Sequence, residues 1–346
     1  MNPADALDPA AMDDATAIPR PCAPARSEPV ADGRGWWLGD FRLRRGALHV
    51  ATSGADIQLG GALAGEALVW LKFYVAVSLR YWRLVLAGRR GPRIWFTPQR
   101  PRPWYLVRSA LSWAGGCVAR SPQEADAVFT FEDATWTFRR PGPGKALNAA
   151  CTDTSKGRVA EVFETVFGYP LAVDPAEWRS EAVEKSETNG THDGRIVQCP
   201  RRRREGMHYQ RLIDTGDDRF THDLRTPCVG GRPVLVCVKR KRRETRFSIH
   251  NAGVDLRMPE AVFSRGELDT IGRFLQAMGI DWGGLDILRD RVTGRIYVVD
   301  VNKTDVGPII ALSWRDKLRS TALLAEALQR LVAGVRQTDP RPTAND

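Results

Sequence analysis

Nothing in this chain pairs its cysteines. The six of them, Cys22, Cys117, Cys151, Cys199, Cys228 and Cys237, stand singly, with no C-x-x-C and no regular interval. That excludes a zinc ribbon or a disulfide framework and fits a reducing cytoplasm. Missing too is any stretch near the roughly 20 uncharged residues that a membrane-spanning helix needs. The N-terminus opens on acidic and small residues instead of the basic and then apolar order of a secretory signal. A cytoplasmic protein is therefore expected. No Ser–His or Cys–His couple offers a nucleophile with its base, and His208, His222 and His250 lack metal-ligand spacing. No segment repeats.

What the chain has is an ordinary globular composition, 43% hydrophobic and 27% charged over 346 residues, enough for one large domain or two to three smaller ones. Its formal charge is +10. Much of that excess sits in two runs, residues 201–204 and 239–243, so the charge is local. No aromatic platform interleaves with these arginines, and nucleic acid is not an expected partner.

Residues 1–35, rich in Ala, Pro and Asp without an apolar period, read as a disordered leader. Residues 62–86 read as an amphipathic helix whose charges, Glu66, Lys72, Arg80 and Arg83, fall within an arc of about 120°. Core packing is its default use. Its aromatics beside basic residues leave a peripheral membrane contact open. A strand at 93–96, a helix at 105–114 and an apolar run at 127–131 suggest a small α/β layer. The Pro-Gly-Pro-Gly segment 141–144 marks a boundary, giving an N-terminal α/β domain over 36–145. Beyond it come a helix at 158–167, strands at 182–185, 196–199, 209–213 and 233–239, a helix at 268–278, strands at 285–288 and 296–301, and a helix at 321–335. Residues 336–346 read as a flexible tail.

The strongest chemical signal is the last hairpin. Side chains alternate along a strand, so Asp300 and Asn302 share a face while Val299 and Val301 point the other way. If a loop over 290–294 pairs Arg289 with Arg295, Asp286 stands opposite Val298 and diagonal to Asp300, within reach of one cation. A slip of one residue breaks this. Two carboxylates and an amide suit magnesium, for which manganese can stand in. Taken alone, such a triplet more often belongs to a solvated surface hairpin.

Upstream, Lys185 ends a strand, and the polar loop 186–194 with two glycines can fold its N–H groups over phosphates. A strand then runs through Gln210, Arg211, Leu212 and Ile213 to Asp214. A D-x-R triplet follows, Asp223 and Arg225, and then the basic run at 239–243.

In this order the pieces resemble the ATP-grasp superfamily over about residues 146–335, and within it the amino-acid-ligating members akin to ribosomal-protein glutamate ligases. The resemblance implies an α+β fold with two α/β subdomains clasping ATP, preceded by the small N-terminal domain. It assigns Lys156 and Lys185 to the ATP phosphates, with Lys145 a rival for the first. The loop 186–194 becomes the phosphate flap, Gln210, Arg211, Leu212 and Ile213 the adenine linker, and Asp214 a ribose neighbour. Arg225 faces the reacting phosphate with one of Lys239, Arg240 or Arg242 beside it, and Asp286, Asp300 and Asn302 hold magnesium. Asp300 stands where glutamate is commoner in the family. His192, in the flap, reads as a solvated loop histidine.

The implied activity is a magnesium-ATP-dependent ligase that activates a small-molecule or peptide carboxylate as an acyl phosphate for attack by an amine. Lys303 is a candidate substrate contact or a simple surface lysine. Two alternatives stay open: a kinase of the same fold acting on a polyanionic or sugar-like hydroxyl, and a non-catalytic basic binding protein on this scaffold.

Overall fold

The computed structural model describes residues 37–44, 47–50, 55–58, 61–138, 146–191, 193–247 and 251–338. The leader, the boundary segment 141–144, Lys145, His192, His250 and residues 339–346 lie outside the described residues.

An antiparallel meander comes first: β1 (Phe41–Arg44), β2 (Ala47–Val50) and β3 (Ala55–Gln58). The helix α1 (Gly61–Leu86) follows. Next, β4 (Arg93–Pro98), α2 (Leu106–Trp113), β5 (Cys117–Val118) and β6 (Ala127–Phe131) form a parallel sheet in the order β5-β4-β6. The crossover α2 covers it, as a parallel pair requires.

The helix α3 (Lys156–Phe167) begins at Ser155, whose hydroxyl accepts from the Arg158 N–H at 3.3 Å, and ends at Gly168 with φ 78°. Three strands, β7 (Glu181–Ser186), β8 (Arg195–Gln198) and β9 (Met207–Arg211), then make a small antiparallel sheet ordered β8-β7-β9. The large sheet is built from β10 (Phe220–Val229), β11 (Arg232–Pro233), β12 (Val236–Arg242), β13 (Gly253–Arg257), β14 (Trp282–Arg289) and β15 (Ile296–Asn302), with α4 (Arg265–Met278) inserted before the last hairpin. Its order is β13-β12-β10-β14-β15, all antiparallel, with β11 paired to β10.

One face of the large sheet packs on α3 and α4 through Leu224, Leu285, Ile287 and Val298 against Val159, Phe163, Ile271 and Phe274. The other face is divided. Towards one end Val229, Leu235, Cys237 and Trp282 meet α2 and the closing helix α5 (Trp314–Thr338). Towards the other end the same face carries charge and looks at the small sheet. The fold is α+β.

Two sequence expectations shift here. The last helix starts at Trp314 instead of residue 321, because Ser313 and Asp316 cap it reciprocally: the Ser313 hydroxyl donates to the Asp316 carboxylate at 2.7 Å and accepts from its N–H at 3.1 Å. It also runs to Thr338, so the expected tail does not begin at 336. The second shift concerns α1. It packs on α2 yet leaves large apolar side chains outside, so simple core packing does not describe it.

Candidate active site

Residues directly opposite in antiparallel strands share a face. Across the large sheet Cys237 stands opposite Arg225, Arg225 opposite Asp286, and Asp286 opposite Asp300. Steps of two along the strands place Asp223, Lys239, Lys241 and Asn302 on that face as well. Of the three basic residues the sequence left open beside Arg225, alternation puts Lys239 on the charged face. Arg240 and Arg242 go to the opposite one. Lys241, two residues beyond Lys239, joins the site unanticipated, and its ammonium pairs with Asp223 at 2.9 Å.

The hairpin register is a correction. Arg289 pairs with Ile296, not Arg295, and Asp286 stands opposite Asp300, not Val298. The turn half has therefore slipped by one residue, which by itself would send Asp286 and Asp300 to opposite faces. A bulge between Asp286 and Ile287 shifts the ladder once more and restores them to the same face. Val299, the extra residue, has a backbone carbonyl that accepts from the Lys185 ammonium at 2.7 Å.

The β7–β8 loop and the first residue of α3 border this floor. Lys156, the first residue of α3, is buried, and its ammonium reaches Asp300 Oδ1 at 2.6 Å and the Asn189 side-chain oxygen. Asn189 fixes the loop from both ends of its amide, donating to the Thr154 hydroxyl at 2.9 Å and the Val301 carbonyl at 3.0 Å. Its own N–H donates to the Thr135 hydroxyl at 2.9 Å. Glu187 accepts from the Gly157 N–H at 2.7 Å, so the loop is also tied to the start of α3. Gly194 lies against the Phe247 ring, where a Cβ would stand 3.0 Å from it.

Between loop and floor is a cavity of about 180 Å³ lined by Lys156, Lys185, Gln210, Lys241, Phe247 and Asp300 among others. Burial opposes the Asp286 charge, but Arg225 and Lys239 outweigh it and hold the carboxyl well below the usual range. Arg225 donates to Asp286 Oδ2 at 2.8 Å and also to Asp305, a buried acid that sequence reading passed over. Asp305 is pushed up to about 6 by burial, against the pull of Arg225. Gly284 makes room for it, since a Cβ there would collide with its carboxylate. The Lys185 ammonium is pushed down to about 8 by burial and by Lys156.

The expected adenine linker divides. Gln210, Arg211 and Ile213 line the cavity, and the buried Gln210 side-chain oxygen has no hydrogen-bond partner among the described residues. Leu212 and Asp214 do not line it. The Asp214 carboxylate instead pairs with Arg243 at 3.3 Å and Arg291 at 3.1 Å. Lys303 is buried, not on the surface: its ammonium donates to the Thr137 hydroxyl at 3.1 Å and the Cys151 carbonyl at 3.4 Å. With Thr304, bonded to Asp133 at 2.7 Å, it ties the end of β15 to residues 133–137.

The donor set fits a hard divalent cation. Asp286 Oδ1 is buried without a hydrogen-bond partner among the described residues, with the Lys239 ammonium 3.6 Å away. Asp300 faces it across the ladder, and the Asn302 side-chain oxygen lies one step along, accepting from the Thr304 N–H at 3.0 Å. Among the described residues no three His, Cys, Asp or Glu side chains converge on one point.

No protein-family model and no curated protein matches the chain. Solved structures do. The likeness is to ATP-grasp ligases. The ligase PsnB complexed with a minimal precursor is 13% identical, with 69% of this chain and 98% of that one covered at a TM-score of 0.43. A D-alanine–D-alanine ligase from Bacillus anthracis is 10% identical over 71% and 98%, at 0.44. The macrocyclase MdnC bound with precursor peptide MdnA, from Microcystis aeruginosa, is 12% identical over 68% and 98%, at 0.39.

Proposed function

We propose that the cleft binds ATP with magnesium and that the protein is an ATP-dependent carboxylate–amine ligase. The supporting observation is the register-aligned set Asp286, Asp300 and Asn302, interleaved with the cations Lys156, Lys185, Arg225, Lys239 and Lys241 beneath a glycine-bearing loop. Several of these groups pair with one another: Lys156 with Asp300, Arg225 and Lys239 with Asp286, and Lys241 with Asp223. Asp286, Asp300 and Asn302 would hold the magnesium ion, which would leave Lys156 and Lys239, now paired with Asp300 and Asp286, for phosphate oxygens. Once bound there, the ion neutralises charge on the phosphates.

The chain's own part is positioning and electrostatics. Lys156 and Lys185 hold phosphate oxygens, and Gln210 with Ile213 borders the base. Arg225 lies between the metal acids and Asp305, where it aligns the γ-phosphate with the acceptor. A carboxylate oxygen forms the new bond to the γ-phosphorus as the bond to the bridging oxygen breaks and ADP leaves. The amine lone pair then attacks the acyl carbon, phosphate departs with the electron pair, and the amine gives up a proton. The acceptor would be a small-molecule or peptide carboxylate met by Arg225. A kinase acting on a polyanion would share the nucleotide site. However, the run 201–204 that would grip such a substrate has Arg201 and Arg204 turned onto Glu184.

ATP with magnesium is expected to raise the Tm through preferential binding to the folded state. Asp300→Ala with Asn302→Ala removes the metal-dependent part of that rise. No rise at millimolar nucleotide sinks the reading. Product analysis then separates the activities: a ligase releases ADP and phosphate with an amide, a kinase releases ADP with a stable phosphoester.

A further inference from the structure

Helix α1 is apolar on two opposite sides, and only one of them is used inside the protein. Phe73 and Val77 are buried, and the Arg80 guanidinium lies 4.7 Å from the Trp113 ring centre while its Nε donates to the Trp113 carbonyl at 3.2 Å. At 100° per residue Leu68, Leu71, Val75, Leu79, Trp82 and Leu86 fall within an arc of about 80° centred opposite Phe73 and Val77. All six are open to solvent, from 46% exposure at Val75 to 84% at Leu86.

Their spacing is regular. Leu68, Leu71 and Val75 recur eleven residues on as Leu79, Trp82 and Leu86. Eleven residues in three turns is about 3.67 per turn, close to the helix's own period, so the stripe stays straight along about 27 Å instead of winding round the helix. A straight stripe suits a flat surface. No helix among the described residues is long and apolar enough to cross a membrane, so contact would be lateral.

Charge selects the kind of surface. The exposed cations Lys72 and Arg83 line one edge of the stripe, and Arg89 and Arg90 follow its C-terminal end. Glu66, the helix's single acid, falls on the side that carries Phe73. Antiparallel self-pairing about a two-fold axis would bring the Lys72 and Arg83 edge against the same edge of a second copy, four cations with no acid from α1 between them. An anionic layer satisfies the same edge.

We propose that α1 docks this protein on an anionic lipid surface, with the six apolar side chains in the interface and Lys72, Arg83, Arg89 and Arg90 against the headgroups. This does not rest on the nucleotide reading. The full chain is mixed with vesicles of zwitterionic lipid alone and with vesicles carrying about one-third anionic lipid, and flotation is measured. The protein floats with the anionic vesicles and only weakly with the others. Leu79→Asp with Trp82→Asp stays at the bottom while keeping the parent Tm. Lys72→Glu with Arg83→Glu loses roughly thirtyfold or more in affinity for anionic vesicles and little for neutral ones. The assignment is overturned if the parent fails to float, if the Leu79 and Trp82 variant floats unchanged, or if light scattering shows a dimer that this variant splits with no flotation by either.

Discussion

Two acids in this protein, one buried and one half-buried, attract arginines, and they differ in what is left over. Glu184, in the small sheet, is fully buried, and both of its oxygens are used: Tyr209 donates to one at 2.5 Å, while Arg195 at 2.8 Å and Arg204 at 3.0 Å donate to the other. Asp286, in the large sheet, gives one oxygen to Arg225 and keeps the other without a hydrogen bond among the described residues, beside a cavity. The amounts of charge are similar. Spare coordinating capacity next to open space is what distinguishes a candidate site from a structural ion cluster.

Loss of the structural acid should have the largest effect on folding. Glu184→Ala leaves Tyr209 and two arginines without their acceptor and is expected to cost about 3 kcal/mol, the low end for a buried pair because the arginines are half-exposed. Chemical denaturation measures it. A loss below about 1 kcal/mol would show that the two clusters are not different in kind. Lys156→Met should do the reverse, lowering turnover about a hundredfold with little change in Tm. Equal losses of stability and activity would erase the contrast.

Gly284→Ala tests the acid that shares Arg225. The added methyl displaces Asp305 at a cost of about 1 to 2 kcal/mol, and turnover falls as Arg225 loses one of its two anchors. An unchanged variant would remove Asp305 from the site. The mildest effect is on pH dependence. Because the Lys185 ammonium is pushed down to about 8, the folded protein gives up that proton before the unfolded chain does. Its contribution to stability therefore rises with pH between about 8 and 10.5. Phosphate needs the cation, so nucleotide affinity falls about tenfold per pH unit above 8. Lys185→Arg should flatten that fall, measured by titration calorimetry across the range.

Much of the floor was legible because alternation and order are local properties. The D-x-R triplet, Lys185 and the final hairpin could be read from their strands alone, and the sharing of a face by Asp300 and Asn302 follows from a period of two. The bulge was not legible, since an extra residue declares itself only against its partner strand. Asp305 and Asn189 were missed for a related reason: one finds Arg225 eighty positions away in sequence, the other finds Lys156 and Val301 across the cleft. The arginine partners of Asp214, Arg243 and Arg291, could not be read either, because they come from distant segments. The outward stripe of α1 was hidden by the usual assumption that apolar means buried, which a helix with two apolar sides defeats.

Val299 has a bearing on how this chain can change length. Taking it out would leave Val298 next to Asp300, regularise the ladder and still set Asp286 against Asp300, so a deletion there would look harmless by pairing alone. The loss would fall elsewhere. The carbonyl on which the Lys185 ammonium rests belongs to that surplus residue, and a tidier hairpin would leave the lysine without its anchor. Among natural variants of this chain, shortening is therefore expected in the solvated turn at residues 290–294 and not in the strand, where the irregular residue is the one that binds.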